Sequence, residues 1–178
     1  MSVAKKVISL KLSEKGIDQA IKEIKAYKQQ MLDKMDVFRQ RLADEIAKEA
    51  EIGFNASTVD DIVKGSASPH KAEVSVSVTD NGSVSVVVAN GEDAVWCEFG
   101  AGVYHNGSAG SSPNPFGAQN GLTIGSYGSG KGAQTAWGYY DENGKVVITR
   151  GTPATMPMYR ACVSVASRAI NIAREVFG

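Results

Sequence analysis

The sequence predicts an α+β fold, a small antiparallel sheet built from hairpins and packed against a long N-terminal helix and a C-terminal helix. Three features of the chain carry that expectation. From Glu14 to about Ile52 the apolar residues Ile17, Ile21, Ile24, Met31, Leu32, Met35, Phe38, Leu42 and Ile46 recur at threes and fours, with charged and amide side chains between them, which is the period of one helical face. The run EVSVSVTDNGSVSVVVAN alternates valine and serine on either side of Asp80-Asn81-Gly82, the pattern of a hairpin. The final segment, Thr155 to Phe177, returns to helical spacing with Met158, Cys162, Val165, Ala169, Ile172 and Val176 on one face. At 178 residues the chain is long enough for one domain with a proper core, and a single domain over residues 1–178 is expected.

The elements follow in order. VISLKL places Ile8, Leu10 and Leu12 on one side and Ser9 and Lys11 on the other, which predicts a short first strand. Ser13 is the expected N-cap of the long helix, and Gly53 its left-handed C-terminal stop. Such a helix spans about 60 Å at a rise of ~1.5 Å per residue, whereas a compact chain of this length is roughly 40 Å across. It is therefore expected to bend, break, or cover a neighbouring subunit with its free end; Ile21, Ile24, Met31, Met35 and Phe38 are the interface candidates on its stripe.

In the first hairpin Val74, Val76 and Val78 are set against Val84, Val86 and Val88, with the serines on the wet face. GEDAVWCEFGAG follows, with Val95, Trp96, Cys97 and Phe99 plugging a core edge as a turn of helix or a strand. A loop rich in Gly, Ser and Asn, expected to be flexible, occupies about 101–136. Then WGYYDENGKVVITR predicts a second hairpin turning at Asn143-Gly144, with Val146 and Ile148 against Trp137, Tyr139 or Tyr140. Pro157 suits the first turn of the last helix.

Lysines plus arginines number 19, as do aspartates plus glutamates, so the summed charge offers no footprint for nucleic acid or an anionic membrane. The lysines of the N-terminal helix are interspersed with acids, as on a solvated face. Two cysteines far apart suggest a reducing compartment and no disulfide framework. No apolar run approaches the ~20 residues of a membrane span, and MSVAKKVISLKLS alternates where a signal peptide would be continuously apolar. Neither export nor membrane insertion is expected.

Three groups of residues have the types that chemistry would need. Gly125, Gly130 and Lys131 form the skeleton of a phosphate loop, but Gly132 stands where a hydroxyl should hold magnesium, and neither a strand before nor a helix after is predicted. No nucleotide or other cofactor is expected. Cys97 and His105, with Glu98 or Asp93 as orienting carboxylate, have the residue types of a cysteine hydrolase, yet Cys97 is flanked by Val95, Trp96 and Phe99 like an inert core residue. A zinc site would need His70, His105, Cys97 and Cys162 to converge without any close-paired spacing, and none is expected.

Two segments carry a resemblance. AVWCEFGAG, followed after a glycine-rich stretch by TPATMPMYRACVSVASRAI, resembles the tail-component or tail-completion (head-tail joining) family of long-tailed bacteriophages and prophages. Glu98, Phe99, Gly100 and Gly102 match the family's first element; Ala154, Pro157, Met158, Arg160 and Ala161 match its second. Ala101 replaces the usual threonine, and Met158 stands where phenylalanine is common. The resemblance implies a virion structural protein of the neck or tail, found in the virion and assembled in the bacterial host cytoplasm. It implies ring-like homo-oligomers, contacts with other phage neck and tail proteins, no catalysis and no sequence-specific nucleic acid. A tail terminator or head-side connector is the alternative of the same class, and a cysteine-dependent hydrolase that of a different one. For Glu98 and Pro157 plainer roles stand beside the assembly role: a carboxylate capping nearby amides, and a proline starting a helix.

Overall fold

The structure is a computed structural model and describes residues 7–8, 13–60, 69–100, 115–119, 137–140, 143–149 and 152–178. In chain order the elements are α1 (Glu14–Ala56), β1 (Thr58–Asp60), β2 (Pro69–Lys71), β3 (Ser75–Asp80), β4 (Ser85–Asn90), α2 (Asp93–Phe99), α3 (Pro115–Gln119), β5 (Trp137–Tyr140), β6 (Val146–Thr149) and α4 (Pro157–Phe177). Among the described residues the strands form three antiparallel two-stranded ladders, β1-β2, β3-β4 and β5-β6. The architecture is α+β, with a long N-terminal helix, a C-terminal helix and small antiparallel ladders.

Helix α1 is one continuous helix of 43 residues, about 64 Å long at ~1.5 Å per residue. Ser13 caps it as expected, its hydroxyl accepting the Gly16 N–H at 3.2 Å. Its end differs from the expectation. Gly53 lies inside the helix, which runs on to Ala56 and closes at Ser57, whose N–H donates to the Phe54 carbonyl. The glycine is needed for space: a Cβ built at Gly53 would lie 2.9 Å from Pro157 Cβ, where α4 begins.

Helix α4 runs antiparallel to α1 from that crossing. Arg168 pairs with Glu45 and Glu49, Arg41 with Glu175, and Phe38 meets Phe177 edge-on with ring centroids 5.9 Å apart. Lys34 Nζ reaches the Phe177 carbonyl at 3.4 Å. The buried face of α4 is Pro157, Ala161, Val165 and Ile172, so Val165 and Ile172 lie inward as expected while Cys162 is exposed. Pro157 does open the helix.

The β3-β4 hairpin lies on another side of α1, where Val74, Val76 and Ala89 pack with Ile46, Ala50 and Phe54. Its register is three residues from the expected one, which set Val78 against Val84. Asp80 pairs with Ser85 across a four-residue loop, so Val78 faces Val87 and Val76 faces Ala89, leaving Val84 and Val86 exposed. The loop holds this register itself: Asn81 Oδ1 accepts the N–H groups of Ser83 and Val84, local bonds that widen the expected Asp80-Asn81-Gly82 tip to the four residues Asn81 to Val84. Arg39 clamps the hairpin tip to α1, donating to the Gly82 carbonyl at 2.7 Å and to Ser85 Oγ at 3.1 Å while pairing with Asp80 at 3.1 Å.

The second hairpin forms, with Val146 opposite Tyr140 as expected but Ile148 opposite Gly138 where an aromatic was expected, and Gly144 takes φ 74°. The expected first strand finds no counterpart at Val7 and Ile8, and Ser9 to Leu12 lie outside the described residues. So does most of the 101–136 loop, apart from α3.

Candidate functional site

The site is the junction between the end of α2 and the beginning of α4, which brings the two motif segments together. The sequence left Val95 to Phe99 open between helix and strand; it is a helix with Cys97, Glu98 and Phe99 buried. It ends at Gly100, whose φ of 80° favours glycine and whose N–H donates to the Trp96 carbonyl at 2.8 Å.

The chain approaches α4 through Thr155 and Met156, whose N–H groups both donate to the Cys97 carbonyl, at 2.9 and 3.0 Å. Met156 is the N-cap of α4 and takes the left-handed conformation (φ 56°) without offering a side-chain cap. The first turn therefore leaves backbone donors unsatisfied by its own cap. Glu98 supplies the acceptors: Oε2 takes the N–H of Met158 at 2.9 Å and Oε1 that of Tyr159 at 3.1 Å. The positive end of the α4 dipole favours the anion here.

Glu98 is 7% exposed. Burial raises its carboxyl above the ordinary value of 4.5, with the two N–H bonds pulling the other way. Beneath it, Ser57 donates to the Gly53 carbonyl at 2.9 Å and lies 2.7 Å from the Thr155 hydroxyl, tying the end of α1 to the same junction. A groove of about 340 Å³ opens beside it, lined by Glu49, Gly53, Ser57, Thr155, Arg160 and Ser164 among others. Arg160 is exposed. Phe99 packs on Phe116 of α3, ring centroids 5.6 Å apart.

Gly102 lies outside the described residues, as do His105 and the glycines and lysine of the loop at 125–132. The other candidates of the hydrolase reading are placed differently from what that reading needs. Cys97 is fully buried, and burial pushes its thiol up to about 11, so the thiolate is scarce at neutral pH. Asp93 Oδ2 is taken by His70 Nε2 at 3.0 Å and by the Glu73 N–H at 2.9 Å. Among the described residues no three His, Cys, Asp or Glu side chains are grouped to hold a metal, and no helix is long and apolar enough to cross a membrane.

On the α1 stripe the interface candidates divide. Ile21, Ile24 and Met35 are exposed and Met31 is half-buried, whereas Phe38 is engaged with Phe177 of its own chain. Sequence reasoning missed Ser57, Thr155 and Met156. A serine after a helix and a threonine before one are common, and a left-handed methionine has no propensity signal.

The fold and junction define the chain as an α+β protein with a carboxylate-capped helix crossing. No protein-family model, no curated protein and no solved structure matches it.

Proposed function

We propose that the chain is a structural protein of the neck or tail of a long-tailed bacteriophage or prophage, acting in tail completion or head-tail joining by assembly with copies of itself and with other neck and tail proteins, without catalysis. The observation that carries this reading is the joint occurrence of the two motif segments at Glu98–Gly102 and Ala154–Ala161. That they bond to each other through Glu98 and the first turn of α4 supports it, because residues from separate motifs then act as one unit. The exposed isoleucines of α1 support an assembly role, since contiguous apolar surface is characteristic of protein interfaces.

The buried thiol of Cys97 weighs against the hydrolase alternative, because a nucleophile must be reachable and ionised. Electron microscopy of lysates from the parent phage or induced prophage with this gene deleted tests the proposal. Filled heads beside free tails are expected. Tails of abnormal length would move the assignment to a terminator, and normal infectious particles would overturn it.

A further inference from the structure

The apolar stripe of α1 runs on past α4 and the β3-β4 hairpin, the described elements that pack on the rest of the helix; on the adjoining face Ala20 is buried. Contacts with α4 run from Gly53 back to Lys34, and the β3-β4 hairpin ends at the Arg39 clamp. N-terminal to these, Ile17, Ile21, Ile24, Lys28, Met31 and Met35 continue one line at steps of four and three. Ile17, Ile21, Ile24 and Met35 are 43, 44, 55 and 58% exposed.

A second open line lies on α4, opposite its buried residues Ala161, Val165 and Ile172. Tyr159, Val163, Ala166, Ile170, Ala173 and Phe177 also step by four and three. The first four are exposed, Val163 and Ile170 by 52 and 68%, and the last two are half-buried.

We propose that the two lines pair between copies: the exposed line on the N-terminal half of α1 of one copy lies antiparallel along the outer face of α4 of a second copy. The steps coincide along the whole length. Met35 then faces Tyr159, Met31 faces Val163, Lys28 faces Ala166, Ile24 faces Ile170 and Ile21 faces Ala173, with Ile17 at the end beside Phe177, whose ring also meets Phe38 of its own chain. Both lines are about 27 Å long. The charged residue of the α1 line falls opposite alanine, which leaves room for its apolar stem to lie across the partner and its ammonium to reach water.

Charge at the edges agrees. Asp18 follows Ile17, and Arg174 follows Ala173, each on the same edge of its own line. In antiparallel helices like edges meet, so Asp18 falls beside Arg174 of the second copy; at the other end Arg160 falls near Asp36. Parallel pairing loses these contacts, because the opposite edge of α4 carries Cys162, Ala169 and Val176. Pairing α1 with α1 is poorer still: parallel copies set Lys28 on Lys28, and antiparallel copies centred on the line bring Lys25 to Lys25.

The contact is heterologous, since each copy donates its α1 and accepts on its α4. Repeated, it builds a ring or an open filament. This deepens the assembly reading above and rests on it for its use in a virion.

Sedimentation velocity of the full chain across a wide concentration range tests the pairing. The wild type is expected to associate, and Ile24→Asp or Ile170→Asp to weaken association by about tenfold or more. An equimolar mixture of these two variants has one intact α1 and one intact α4 line and should form a dimer. Asp18→Arg should weaken association, and adding Arg174→Asp in the same chain should restore it, with exposed residues alone changed. A monomeric wild type, variants that associate like the wild type, or a mixture that gives no dimer overturns the pairing. If the variants associate normally while gene deletion separates heads from tails, the interface falls and the neck role stands. If the variants behave as expected while deletion leaves normal particles, the interface stands and the neck role falls.

Discussion

The carboxylate of Glu98 accepts the N–H of Met158, 60 residues further along the chain, at 2.9 Å. With its second oxygen on the Tyr159 N–H, it serves as the N-cap that Met156 does not provide. An N-cap is normally local; here one helix caps another, so the cap also fixes how α2 and α4 meet.

Replacing Glu98 by alanine removes both acceptors and leaves two donors in a buried first turn. The expected loss of stability is about 1–3 kcal/mol, measured by urea unfolding. A loss within error would show that water replaces the carboxylate without penalty.

The pH dependence of that cap has a definite sign. Burial holds the Glu98 carboxyl above 4.5 in the folded chain, so ionisation costs more folded than unfolded. Its contribution is present in full below the ordinary carboxyl value and is lost as pH rises through the raised one. The stability of the wild type minus that of Glu98→Gln should therefore fall as pH increases across this window. The subtraction removes the other carboxylates, including Asp80, which Ser85 first and the Gly82 N–H next hold below 3.8 and whose contribution is lost in acid.

Gly53→Ala separates two accounts of that glycine. Alanine gains about 1 kcal/mol in helix propensity, but its Cβ would meet Pro157 Cβ at 2.9 Å, and overpacking costs about 1–3 kcal/mol. Net destabilisation in urea is expected, and Pro157→Gly, which removes the clashing Cβ, should lessen the added cost in a double-mutant cycle. A stabilised variant would mean that the helices separate freely.

Arg39→Ala should loosen the β3-β4 hairpin from its tip. Amide hydrogen exchange of Ser75–Asp80 and Ser85–Asn90 is expected to speed up by about three- to tenfold, while the α1-α4 contacts near Gly53 keep their protection. Uniform acceleration would mean that the clamp supports the whole domain.

The two thiols should differ in reactivity. Cys162 is exposed, so it should react with a disulfide reagent in the folded protein, slowed because partial desolvation of its thiol and then nearby Glu98 raise it. Cys97, raised to about 11, should react only on unfolding. Two fast thiols in native protein would contradict its burial and revive the nucleophile question.

Elements with a local signal were legible in the order of residues. The α1 period, the Ser13 cap, Pro157 at the start of α4 and the two hairpins follow from spacing and turn chemistry that neighbouring residues supply to one another. The overlong helix was legible too, because length is a property of the pattern. Surfaces remote in sequence settled the rest, and these came to light in the folded chain. Gly53 reads as a helix stop, yet serves a close crossing with Pro157, because a glycine's missing side chain has no sequence mark to say whether it frees the backbone or admits a neighbour. The hairpin register turned on Asn81 bonding within its loop, a choice between two similar turns. Glu98 was visible as a motif residue, but its bonds to Met158 and Tyr159 required the chain to fold back and bury a carboxylate against an uncapped helix.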